Sequence, residues 1–107
     1  MWLYKETIKT PPFSKDARRM AGELIRRLQQ GEEIKLKRYF GSMQSIGLRC
    51  HELKIKDLNT EWRIIYRIDS DAIIIVEVFK KKTNKTPKHI IELCKERLSD
   101  YDQRARG

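Results

Sequence analysis

Lys54, Lys56, Arg63 and Arg67 are spaced so that two neighbouring strands would bring them to one surface. In HELKIKD, Glu52, Lys54 and Lys56 share one parity, and His51, Leu53 and Ile55 share the other. In WRIIYRI, Arg63, Ile65 and Arg67 oppose Trp62, Ile64, Tyr66 and Ile68. Successive strand residues point to opposite faces, so the four cations converge without being sequence neighbours. Like charges on adjacent strands repel, so stability alone gives a fold no reason to gather them. An anion-binding face is one reading, and scattered, solvated edge charges are the other.

The chemistry such a face permits acts on phosphate. Arginine's planar fork donates in parallel to two oxygens and stays charged. A lysine crowded by other cations has its pKa lowered and can accept a proton. On RNA, a 2′-hydroxyl that loses its proton attacks the adjacent phosphate, while arginines stabilise the charge that develops there. A second basic feature is KKKTNKTPK, five lysines within residues 80–88. The sequence has no CxxC, no histidine pair, no carboxylate cluster for a hard metal and no glycine-rich phosphate loop, so neither metal nor cofactor is expected. Of its two histidines, His89 falls on the polar side of a helix, and His51 shares parity with Leu53 and Ile55 as a packed strand residue does.

These residues need elements to hold them. Ser14 is an N-cap with Asp16 in the first turn. Ala17, Met20, Ala21, Leu24, Ile25 and Leu28 follow as one apolar stripe, which predicts a helix over 14–30 stopped by Gly31. The first nine residues read as a short strand ended by Pro11 and Pro12. Residues 32–47 show no period, and Gly41, Ser42, Ser45 and Gly47 mark a loop covering a sheet edge. Strands follow from Leu48, with DLNTE (57–61) and DSD (69–71) as turns. AIIIVEVF is apolar on both faces, as a central strand is. Thr86 as cap and Pro87 as first helical residue open a last helix striped by Ile90, Ile91, Cys94, Leu98 and Tyr101, with DQRARG frayed.

The whole is expected to form one domain over 1–107, with 39% hydrophobic and 36% charged residues. A formal charge of +9 favours polyanionic partners, or an acidic protein that masks it. Cys50 and Cys94 are too few for a disulfide framework and read as buried thiols in a reducing cytoplasm. No stretch approaches a membrane span, and MWLYKETIK has no apolar signal core, so a cytoplasmic location is expected.

HELKIKDLNTEWRIIYRI followed by AIIIVEVFKKKTNKTPKHIIELCKERLSDYD resembles the RelE/ParE toxin superfamily, in particular its HigB-like, phage-derived branch. The upstream IKTPPFSKDARRMAGELIRRLQQGE resembles the helical start of that branch. The resemblance implies an α+β, RelE-like fold. In it an N-terminal strand and helix pack on a twisted antiparallel sheet of three to four strands, with a C-terminal helix. It also implies a toxin that cleaves messenger RNA on the ribosome and is neutralised by a cognate antitoxin, a helix-turn-helix protein of the HigA-like kind whose complex sets the oligomeric state.

Carried over by position, Arg63 matches the arginine that stabilises the scissile phosphate. Lys54 and Lys56 match the lysines implicated in proton transfer and charge stabilisation. Lys82 lies in the basic junction and joins the catalytic candidates. Glu77 stands where relatives carry a histidine, either as a base or as the partner of a nearby cation. Arg49, Arg67, Lys80, Lys81, Lys85 and Lys88 are the expected RNA contacts. A ParE-like inhibitor of DNA gyrase, or a degenerate relative that only binds nucleic acid or its antitoxin, are the competing readings.

Overall fold

The computed structural model describes residues 14–30, 40–82 and 85–106. The expected N-terminal strand and the Gly31 stop lie outside them. Helix α1 (Lys15–Gln29) begins where Ser14 Oγ accepts from the Ala17 amide at 3.3 Å. Four strands follow: β1 (Phe40–Ser42), β2 (Cys50–Asp57), β3 (Thr60–Ile68) and β4 (Ile73–Lys80). Helix α2 (Lys88–Arg106) closes the order. The sheet is antiparallel throughout, in the order β1-β2-β3-β4. With one helix before it and one after, this is the α+β architecture that the alternating and helical periods predict.

The two parities of the sheet feed two separate cores. Leu53, Ile55, Ile64, Tyr66, Ile73 and Ile75 pack against Ala17, Ala21 and Leu24 of α1. Cys50, Ile65, Ile74 and Val76 pack against Cys94 and Leu98 of α2, with Met43 and Ile46 from the β1–β2 connection. The helices therefore cover opposite faces. Burying one such aliphatic side chain contributes about 1.5–3 kcal/mol, and Leu53, Ile55, Ile64, Ile65, Ile74, Ile75 and Val76 are all fully buried. Ala17 and Ala21 keep the α1 contact close, whereas Met20 falls off the expected stripe and is 40% exposed.

Three local expectations change. Residues 40–42, read as loop, form an edge strand, because Gly41 pairs with Glu52 and Ser42 with His51 on β2. The β2–β3 turn is two residues, not five, since Asp57 pairs with Thr60. Leu58 makes this possible by adopting a φ of 56°. The last helix starts at Lys88, with the Pro87 carbonyl accepting from Ile90 and Ile91, and Thr86 Oγ1 lies 4.0 Å from Met43 Sδ. It runs through DQRAR to Arg106 without fraying, in a segment of good helix formers with arginines toward the negative end of the dipole.

A bulge in β4 shifts the ladder. Ile65 pairs with Glu77, but the next residue, Tyr66, pairs with Ile75. Val76 is the extra residue. Val76 packs in the α2 core, and Glu77 reaches Arg97 of the same helix at 3.3 Å.

Candidate functional site

Arg63 sits mid-strand on β3, between Lys54 of β2 and Phe79 of β4. It is only 6% exposed. Nη2 donates to Glu61 Oε2 at 3.0 Å. Nη1 lies 3.6 Å from Glu52 Oε1, an ion pair too long for a hydrogen bond, and is buried with no hydrogen-bond partner among the described residues. Leaving a buried charged donor unpaired costs about 1–3 kcal/mol or more. An anion oxygen reaching Nη1 would remove that penalty.

Arg63 lines a cleft of about 30 Å³ together with Glu52, Phe79, Lys81, Lys82, Lys85, Thr86 and Pro87. Four of these residues are cations and one is a carboxylate. The space suits one small oxyanion group and cannot enclose a nucleotide, so a polymer would lie across the mouth.

The junction between β4 and α2 forms one wall. The Lys81 amide donates to the Glu61 carbonyl at 2.8 Å, which carries the β3–β4 ladder one residue past the strand. Its Nζ then reaches the same Glu61 carboxylate at 3.2 Å that holds Arg63. Lys82 and Lys85 are exposed at the rim. Lys54, half-buried, stands directly across from Arg63, and exposed Lys56 pairs with Glu61. Arg63, Lys54, Lys56, Lys81, Lys82 and Lys85 thus gather at one end of the α2-side face.

The remaining candidates lie elsewhere. Arg67 is four residues along β3, roughly 13 Å from Arg63 at strand rise. It is 8% exposed and gripped on both sides. Nε and Nη2 donate to Asp69 at 2.7 and 2.9 Å, and Nη1 and Nη2 donate to Asp102 of α2 at 3.0 and 2.8 Å. Those two carboxylates, Asp102 first, raise its pKa further above the ordinary arginine value. Its fork, expected to meet RNA, is held through all three nitrogens by acids that fasten α2 to the sheet. Arg49, mostly exposed, approaches Asp69 at 3.8 Å in the same region.

Lys80 pairs with Trp62 and belongs to the α1-side parity, facing away from Arg63. Lys88 opens α2 on its outer surface. Glu77 is held by Arg97, and its Oε1 accepts from the Val78 amide at 2.9 Å, so the charge-partner role is the one its contacts support. The face also carries acids beside its cations. Each buried arginine has acidic neighbours, because an uncompensated guanidinium is costly away from water.

The aromatic and thiol groups settle into the core. Tyr66 is 2% exposed, and burial lifts its hydroxyl far above the usual range. His51 lies against it with ring centroids 5.7 Å apart, and desolvation lowers its pKa. Cys94 is pushed up to about 12, chiefly by burial, and Cys50 is raised for the same reason. Among the described residues no three His, Cys, Asp or Glu side chains are grouped to hold a metal. No helix among them is long and apolar enough to cross a membrane.

Sequence reasoning did not single out Glu52 and Glu61, the acids that set Arg63. Glu52 was signalled by its shared parity with Lys54. Glu61 was hidden by the turn, which proved shorter than its residues suggested. A larger open cleft of about 460 Å³ lies around Arg67, Leu48, Lys95 and Asp102, but all three nitrogens of its buried cation already donate to Asp69 or Asp102.

A family model described as phage derived protein Gp49-like (DUF891) matches residues 9–99. No curated protein matches the chain.

Proposed function

Because this chain belongs to the Gp49-like family of phage-derived proteins, we propose that it is the toxin of a toxin–antitoxin pair, an endoribonuclease that cuts messenger RNA on the ribosome. Family membership is compatible with a toxin of the RelE-like kind. The observation that carries the catalytic reading is the buried Nη1 of Arg63, without a hydrogen-bond partner among the described residues, on an arginine that lines a cleft rimmed by lysines.

In this reading a scissile phosphate lies over the cleft with one non-bridging oxygen on Nη1. That contact gains strength as negative charge builds in the transition state, which is how a fixed donor lowers a barrier. Lys82 and Lys85 hold the flanking phosphates, and Lys54 and Lys56 extend the positive surface along β2. The step itself draws on the chain's own side chains and the RNA's 2′-hydroxyl. The ribosome presents the strand extended, since the cleft has no room to bind a nucleotide by itself. A cognate antitoxin, of the helix-turn-helix HigA-like kind, balances the charge of +9 and silences the activity.

The test is cleavage of messenger RNA in a purified translation reaction, with primer extension to locate the cuts. Truncation of Arg63 would strand Glu52 and Glu61 in a buried place, so the informative change is Arg63→Lys, which keeps the charge and loses the fork. Removing one oxyanion donor costs about 10²–10³ in rate, and a loss of that order is expected, with the thermal midpoint little altered. Cleavage by Arg63→Lys at the wild-type rate would refute the assignment. Blocked DNA supercoiling without any cleavage would turn the reading to gyrase inhibition.

A further inference from the structure

A ribonuclease reading needs a group to take the proton from the 2′-hydroxyl, and the first candidate, Glu77, is engaged with Arg97. We infer that Glu52 is the proton acceptor of this cleft, an assignment that rests on the ribonuclease reading and moves the proton-transfer role expected of Lys54 and Lys56 to a carboxylate. Three observations bear on it.

Among the described residues Glu52 is the only carboxylate that lines the cleft. Its Oε1 is 3.6 Å from Arg63 Nη1, a buried nitrogen that makes no hydrogen bond among the described residues. A phosphate oxygen on Nη1 would set the neighbouring 2′-oxygen within hydrogen-bond reach of that carboxylate. Its side chain is only 15% exposed, so the proton would move in a largely desolvated place.

A separate observation concerns the edge strand. Gly41 of β1 is the cross-strand partner of Glu52. A Cβ on Gly41 would stand 2.9 Å from Glu52 Oε1 and 3.2 Å from its Cγ. The glutamate therefore lies across a position that only glycine leaves open. Glu61 differs in kind. Its carboxylate already serves Arg63 and Lys81 together, which makes it a clamp for the two cations.

The charged groups that face Glu52 are Arg63 from β3, Lys54 on its own strand, and Lys81, Lys82 and Lys85 from the junction. All are cations, and they offset the repulsion between the glutamate and an incoming phosphate. The step balances as follows. Glu52 takes the 2′-hydroxyl proton, the 2′-oxygen bonds to phosphorus, and the bond from phosphorus to the 5′-oxygen breaks. The leaving oxygen takes a proton from solvent at the rim. Products are a 2′,3′-cyclic phosphate and a 5′-hydroxyl, and Glu52 returns its proton to water.

The experiment uses the full chain on ribosomes programmed with messenger RNA. Binding is read on the same message carrying a 2′-deoxynucleotide at the cut site. Glu52→Gln should lower cleavage by roughly 100-fold or more, the usual worth of a general base. Binding of the deoxy message should stay equal or tighten, and the residual rate should climb steadily with pH as hydroxide replaces the carboxylate. Gly41→Ala, which displaces Glu52 without changing its chemistry, should also lower the rate while keeping the wild-type pH profile. Glu52→Asp is the alternative should the glutamine variant not fold, and a reduced rate with the carboxylate's pH limb intact is expected from it. Wild-type rates and pH profiles in Glu52→Gln, with wild type still cutting, would overturn Glu52 alone. No cutting by wild type would bring down both this assignment and the ribonuclease reading.

Discussion

Arg63 and Arg67 share a strand, a face and near-complete burial, yet their donors are used in opposite ways. Arg67 is held by two bidentate carboxylates, with the Tyr101 ring 5.8 Å away. Arg63 makes a hydrogen bond through Nη2 and leaves its buried Nη1 without one among the described residues. Arg67→Met should therefore act on stability, because it leaves Asp69 and Asp102 without their buried partner. Breaking a buried pair from one side costs about 3–5 kcal/mol, and a fall of that size in urea denaturation is expected. Adding Asp102→Asn should restore part of it. Alternation in the sequence placed both arginines on the correct face. It could not distinguish them, because the acids that do so come from turns and from α2, up to 35 residues away.

At the scale of elements, the β2–β3 hairpin is the sharpest departure from residue preference. Its two-residue turn needs a positive φ that glycine supplies easily, and Leu58 occupies it while 97% exposed. A side chain there costs about 1–2 kcal/mol in backbone strain and gains nothing from packing, while glycine loses about 0.5–1 kcal/mol in chain entropy. Leu58→Gly is expected to stabilise the protein by up to about 1 kcal/mol in thermal unfolding. A lower midpoint would contradict this account of the turn. The same residue explains why the hairpin was misjudged, since nothing in DLNTE announces a leucine in that conformation. Helix α1, the last helix and the doubly apolar β4 were legible because a long period outweighs any single exception. A three-residue edge strand containing Gly41 has no period to read.

Across the whole molecule, the two helices take the two faces of the sheet, and the end near Arg63 offers a cleft lined by four cations and a single carboxylate among the described residues. Its rim lysines are exposed, so their contribution to RNA binding is electrostatic. Each phosphate contact on single-stranded nucleic acid contributes about 0.7 to the slope of log affinity against log salt. Lys82→Ala and Lys85→Ala should each lower that slope by about this amount, and the double change by about twice it. An unchanged slope would remove these lysines from the RNA surface. The net charge of +9 indicated a polyanionic partner but not its place. Location came from the register of β4 and from the junction folding back toward β3.

The β4 bulge has a further consequence for three identical letters. Without Val76 as a supernumerary residue, pairing would continue from Tyr66 and Ile75 so that Lys80, not Lys81, stood at the level of Glu61 and on the side of Arg63. The bulge acts as a one-step vernier set four residues upstream of the run. It assigns Lys81 inward and turns Lys80 to the opposite side, although nothing local tells them apart. A run of three also confers tolerance, because a slip of the ladder by one position would still deliver an ammonium group to the same acid.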